Sequence, residues 1–201
     1  MAYNEFTTIG KVQQKFQLII NEGIRFLPNV EPIAASPALS QFLEEGIPLA
    51  IATGSEKARS ELIISPILLE IRRNLKRQIS LFSGEDFDVD IASGLNGRCD
   101  FLISRSSIQS EIEAPAVIII EAKKGELKKG IGQCLAEMVA AQKFNQERGN
   151  SVKLIYGSVT SGTIWRFLRL EGNLVTIELS EYKLPPIEPI LGILTWMIQD
   201  I

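Results

Sequence analysis

A mixed α/β fold built around one sheet is what the sequence predicts, on three observations. Residues 116–123 form a short apolar run that ends in charge, the texture of a central strand buried on both faces. Residues 87–91 alternate apolar and acidic side chains, and residues 100–103 continue as a second short strand. Segments with helical period stand on either side of this group. The order helix, strand, strand, strand, helix, strand, followed by further strands, calls for helices layered on the faces of a single sheet.

Each element has its own signal. Val12, Phe16, Ile19, Ile20, Ile24 and Leu27 follow the helical period, with Gly23 weakening the run and Pro28 and Pro32 breaking it. Ser36 and Pro37 pair an N-cap with a first helical position, which predicts a short helix to about Glu45 stopped by Gly46. Residues 47–54 are a small apolar stretch. Ser55 caps a helix running to about Leu75. Pro66 lies inside it and removes a backbone donor, so a kink or restart is expected there. The basic tail of that helix, Arg72, Arg73, Lys76 and Arg77, is either charge that suits a helix C-terminus or a phosphate-facing patch. Gly94–Gly97 reads as a turn and residues 104–114 as a polar connection. A long helix is expected over 131–148, strands over 152–159, 164–170 and 174–179, and a closing apolar helix over 190–199. This divides the chain into an N-terminal helical extension (1–54), a core (55–170) and a C-terminal strand and helix on the same domain (171–201).

Composition narrows the chemistry. The 201 residues suit one domain, and a net charge of −3 argues against a passive nucleic-acid coat protein. It leaves room for an enzyme whose carboxylates gather at a metal. The chain has no histidine, which removes Ser-His-Asp triads, Cys-His pairs and histidine-ligated zinc hydrolases together. Cys99 and Cys134 match no metal-ligand spacing and read as buried thiols of a reducing compartment. The N-terminus lacks the pattern of a signal peptide, and no apolar run approaches the roughly 20 residues of a membrane span. A cytoplasmic protein with no membrane partner is expected.

The candidate chemistry lies at the end of the central strand. Residues two apart on a strand share a face, so Glu121 and Lys123 project together and Ala122 points away. Charge at the end of a buried strand calls for a partner. If residues 100–103 and 116–123 form an antiparallel hairpin, Asp100 falls beside Glu121 at about one strand spacing, ~4.8 Å. Two carboxylates at that distance repel, and a hard divalent cation, Mg²⁺ or Mn²⁺, would relieve them, with Lys123 orienting water or offsetting charge. The plainer alternatives are a strand-end role for Asp100 and a surface ion pair between Glu121 and Lys123. Lys124 and Lys128 are either nucleic-acid contacts or part of a solvated turn. Gly130-Ile131-Gly132 imitates a dinucleotide loop, but Leu135 holds the third glycine position and no nucleotide cofactor is expected.

Asp100, one strand later followed by Glu121-Ala122-Lys123, resembles the D…(D/E)xK signature of the PD-(D/E)XK nuclease superfamily. The predicted element order is similar to that family's αβββαβ, restriction-endonuclease-like core. Residues 55–68 and 157–167 resemble the matching segments of nuclease domains in type I restriction enzyme R subunits. The likeness spans roughly residues 55–170. It implies a Mg²⁺-dependent endonuclease that hydrolyses DNA phosphodiester bonds, with Asp100 and Glu121 binding metal. It also implies a first-helix glutamate in the metal site: Glu61 is preferred because it precedes the apolar turn that packs on the sheet, and Glu56 is the alternative. Gln133 matches a glutamine seen on the following helix, whereas Glu137 stands where some members carry tyrosine. DNA is the implied partner, and a homodimer or a larger restriction or repair assembly is compatible. The alternative reading is a catalytically inactive nuclease-fold module that binds nucleic acid or a partner protein.

Overall fold

The computed structural model describes residues 2–200. Its centre is a mixed, eight-stranded sheet flanked by helices, which the described residues build as follows. Helix α1 (Ile9–Phe16) is capped by Thr8 and ends at Gln17, which is left-handed. Strand β1 (Ile19–Glu22) follows at once. The single helix expected up to Leu27 is therefore corrected to a helix and an edge strand, the β-branched pair Ile19-Ile20 having passed into the sheet.

Helix α2 (Pro37–Thr53) begins at the Ser36 cap and runs through both Gly46 and Pro48 to a left-handed Gly54. The expected stop at Gly46 is a close-packing position instead. A Cβ there would lie 2.7 Å from the Leu62 carbonyl oxygen. That carbonyl is the one whose partner in a regular helix would be the missing N–H of Pro66. The chain from Ser55 onward forms α3 (Glu56–Arg59), a π turn (Ser60–Ile64) and α4 (Ser65–Asn74). The wide turn accommodates Pro66 and keeps Ile63 and Ile64 fully buried.

Strands β2 (Ser80–Asp86), β3 (Arg98–Ser104) and β4 (Ala116–Ala122) are joined antiparallel in sequence. The first of them lies earlier than expected. Residues 87–91 bridge only loosely to the returning chain, through Phe87 N–H to Gly97 O and Asp90 opposite Leu95, because their acidic side chains face solvent or cap the local turn. Helix α5 (Lys128–Glu147) crosses to β5 (Leu154–Thr160), which lies parallel to β4. Then come β6 (Ile164–Glu171), β7 (Leu174–Ile177), the short β8 (Tyr182–Lys183) and helix α6 (Glu188–Gln199). The sheet order is β1-β7-β6-β5-β4-β3-β2, with β8 on β6.

One core packs α2, α4 and α6 on one face of the sheet, and a second packs α1 and α5 on the other. Strand β4 is buried at every position from Ala116 to Ala122, as its unbroken apolar run requires. Among the described residues no helix is long and apolar enough to cross a membrane.

Candidate functional site

The site is built where β4 ends. In the β3–β4 hairpin Phe101 pairs with Ile120. One further step of that register sets Asp100 opposite Glu121, the juxtaposition expected of an antiparallel pair. The contact is closed by a hydrogen bond from the Ala122 N–H to Asp100 Oδ2, 2.8 Å. Lys123 leaves the strand with its N–H bonded to the Thr160 carbonyl at the end of the parallel neighbour β5, 2.8 Å, which fixes its direction.

Glu121 is fully buried, and its Oε2 has no hydrogen-bond partner. The Lys123 ammonium forms an ion pair with its Oε1. Burial, and after it the charge of Asp100, pushes the Glu121 carboxyl up to about 8, with Lys123 opposing. Asp100 is shifted upward too. Burial is the larger cause and Glu56 adds to it, while the Ala122 N–H and Lys123 pull the other way. For Lys123, burial works against the charge, but Glu121, Glu56 and Asp100 outweigh it and hold the ammonium above its ordinary value.

The helix glutamate in this cluster is Glu56, which corrects the preference for Glu61. Glu56 Oε2 accepts the Lys124 N–H at 3.0 Å. It also acts electrostatically on Asp100, Glu121 and Lys123. Glu61 is turned outward, 60% exposed, and pairs with Lys57 at 3.2 Å. The cause is the π turn: sending Ile63 and Ile64 inward rotates Glu61 to solvent. The signal for Glu56 was present in the Ser55 cap, whose hydroxyl accepts the Ala58 N–H and sets Glu56 at the first helical position.

Gln133 sits one helical turn from Glu137 and donates to its Oε1, 3.1 Å. Glu137, a fully buried acid, has no signal in the sequence that marks it as facing inward. Its Oε2 has no hydrogen bond. Burial, and then Glu121, pushes its carboxyl well above the ordinary range. Helix α5 reaches this depth because of Gly130. A Cβ there would lie 2.7 Å from Val159 Cγ1, 2.9 Å from Lys123 Cγ and 3.3 Å from Glu121 Cγ. At Gly132 a Cβ would lie 2.4 Å from the Phe6 carbonyl oxygen. The two glycines thus serve close packing of α5 against strand and N-terminal segment.

Lys124 and Lys128 are exposed beside this cluster, and Lys128 opens α5. Arg59 connects two further parts of the site. Its guanidinium donates to the Ser161 carbonyl at 2.8 Å, tying α3 to the turn after β5. Among the described residues no three His, Cys, Asp or Glu side chains stand close enough to hold a metal ion. Cys99 and Cys134 are buried free thiols, as their spacing predicts. Compared with known proteins, the chain matches no family model and no curated protein.

Proposed function

We infer that the chain is a restriction-endonuclease-like phosphodiesterase that hydrolyses DNA with the help of Mg²⁺ or Mn²⁺. The observation that carries this reading is Glu121: a fully buried carboxylate whose Oε2 has no hydrogen-bond partner and whose Oε1 meets only the Lys123 ammonium, opposite Asp100 at the end of the central strand. A buried carboxylate oxygen kept without a hydrogen bond, among other acids, is costly and has no architectural use.

Asp100 and Glu121 are the residues that would hold the cation. The donor set fits a water-rich hard ion, since Mg²⁺ keeps several waters and takes one or two carboxylates, and it does not fit an all-protein cage. Such an ion would supply charge stabilisation on the phosphate and an activated water. The chain's own groups do the rest. Lys123 offsets charge on the reacting phosphate. Gln133, tethered to Glu137, lines the site from α5. Glu56 faces the same cluster from α3. Lys124 and Lys128 meet the flanking phosphates. The first turn of α5 carries Lys128 and Lys129 and no acid, the reverse of what a helix N-terminus prefers, which supports an anionic ligand there.

Asp100→Asn and Lys123→Ala should each abolish Mg²⁺-dependent cleavage of plasmid DNA while leaving the circular dichroism spectrum unchanged. Cleavage at the wild-type rate by both variants would overturn the assignment. The second reading, a nuclease-fold module without catalysis, is favoured by the internal pairing of Glu121 with Lys123. It predicts DNA retention with no cleavage under any divalent cation.

A further inference from the structure

The ion pair between Lys123 and Glu121 has a consequence for how the site loads. Lys123 is the cation that acts on Glu121, and it acts on Asp100 and Glu137 as well. Its seat is constructed. The backbone N–H is fixed to Thr160, and the bare Cα of Gly130 brings α5 down onto the Cγ atoms of both Lys123 and Glu121. The Lys123 side chain is only 22% exposed, and that of Glu121 is closed to solvent altogether. A cation approaching Glu121 therefore meets an oxygen already neutralised by the chain itself.

We propose that Lys123 is a built-in counter-cation: in the free protein its ammonium occupies Glu121 and competes directly with a divalent cation for that carboxylate. This rests on the reading of Asp100 and Glu121 as cation ligands. By linkage, two cations that share one carboxylate weaken each other, and removing the resident one strengthens binding of the other. The phosphate that Lys123 meets in the proposed reaction is the anion able to draw it away.

The test is calorimetric titration of Mn²⁺, without DNA, into wild type, Lys123→Met, Lys123→Gln and each of these combined with Glu121→Gln. Circular dichroism checks the folding of every variant. The expected result is that both Lys123 variants bind Mn²⁺ more tightly than wild type, on the order of tenfold, and that Glu121→Gln removes the binding in each background. If the Lys123 variants bind as wild type does, or more weakly, and Glu121→Gln still removes binding, the counter-cation is refuted and the metal reading stands. If neither wild type nor the Lys123 variants bind Mn²⁺, the metal reading falls and the counter-cation falls with it. Two neutral replacements of different polarity keep the test open should one of them fail to fold.

Discussion

Glu70 and Glu121 are both glutamates removed from solvent, 3% and 0% exposed, and they are buried in opposite ways. Glu70, on α4, is satisfied at both oxygens. Oε1 accepts the Ser36 N–H at the start of α2, 3.0 Å, and Oε2 accepts from Arg73 at 2.7 Å. It clamps two helices together, and its charge is offset by a guanidinium half in water. Glu121 has one cation, Lys123, on Oε1 and no partner on Oε2, and it shares its surroundings with Asp100 and Glu137. The difference separates architecture from function. A buried acid with each oxygen directed at a donor holds the fold, whereas one packed against other acids is tolerated at a cost that the fold recovers elsewhere.

The comparison predicts different outcomes for removing the charge of either acid. Glu70→Leu strands the Ser36 N–H and frees Arg73, and should lower stability by about 1.5–3 kcal/mol, the worth of a hydrogen bond to a charged group. Glu121→Gln removes a desolvated carboxyl from a cluster of like charges. It should leave stability unchanged or raise it by about 0.5–2 kcal/mol while abolishing activity, the trade-off expected where a site is kept against stability. Urea denaturation of the two variants beside wild type measures both. A loss at Glu121 as large as that at Glu70 would remove the distinction.

A smaller effect follows from the protons. The Glu121 carboxyl stands at about 8 in the folded protein against an ordinary 4.5, raised first by burial and then by Asp100. Between those values the folded protein holds a proton that the unfolded chain has released. The stability linked to it is complete below about 4.5 and is lost as pH rises through about 8. Asp100 and Glu137 are shifted in the same direction, chiefly by burial. The melting temperature of the wild type should therefore fall across this window, and the fall should be shallower in Glu121→Gln. An identical slope in Glu121→Gln would assign the titration to its neighbours.

The contrast between the two acids also marks how far the sequence could be read. The hairpin that pairs Asp100 with Glu121 was legible, because strand parity and an unbroken apolar run leave one register that buries Ile118 and Ile120 on one face and Ile119 on the other. The close descent of α5 was not, because Gly130 and Gly132 show in sequence only as residues able to approach something, without saying what. Helix α2 ran through two breakers, since what decides at Gly46 is the Leu62 carbonyl on another helix. Glu137 was visible but misjudged: on a helix of mixed period nothing distinguishes an inward acid from an outward one until the strand beneath is located. Glu70 went unremarked for the same reason, its partner Ser36 lying on a separate helix.

Glu56 and Glu61 sharpen the comparison at its weakest point, where neither residue carries the fold. They lie five positions apart, and the π turn between them decides which one meets the site. Glu56 faces Asp100, Glu121 and Lys123 and accepts the Lys124 N–H, whereas Glu61 is spent on an exposed pair with Lys57. Such a pair contributes little, so Glu61→Ala should change stability by no more than about 0.5 kcal/mol and leave cleavage at the wild-type rate. Glu56→Ala should be similarly mild in stability, since its one hydrogen bond is at the surface, yet lower cleavage clearly. Plasmid cleavage by the two variants at matched folded concentration separates them. If Glu61→Ala proved the damaging change, the helix would have to turn its other face to the sheet on binding DNA, and Ile63 and Ile64 could not both remain buried.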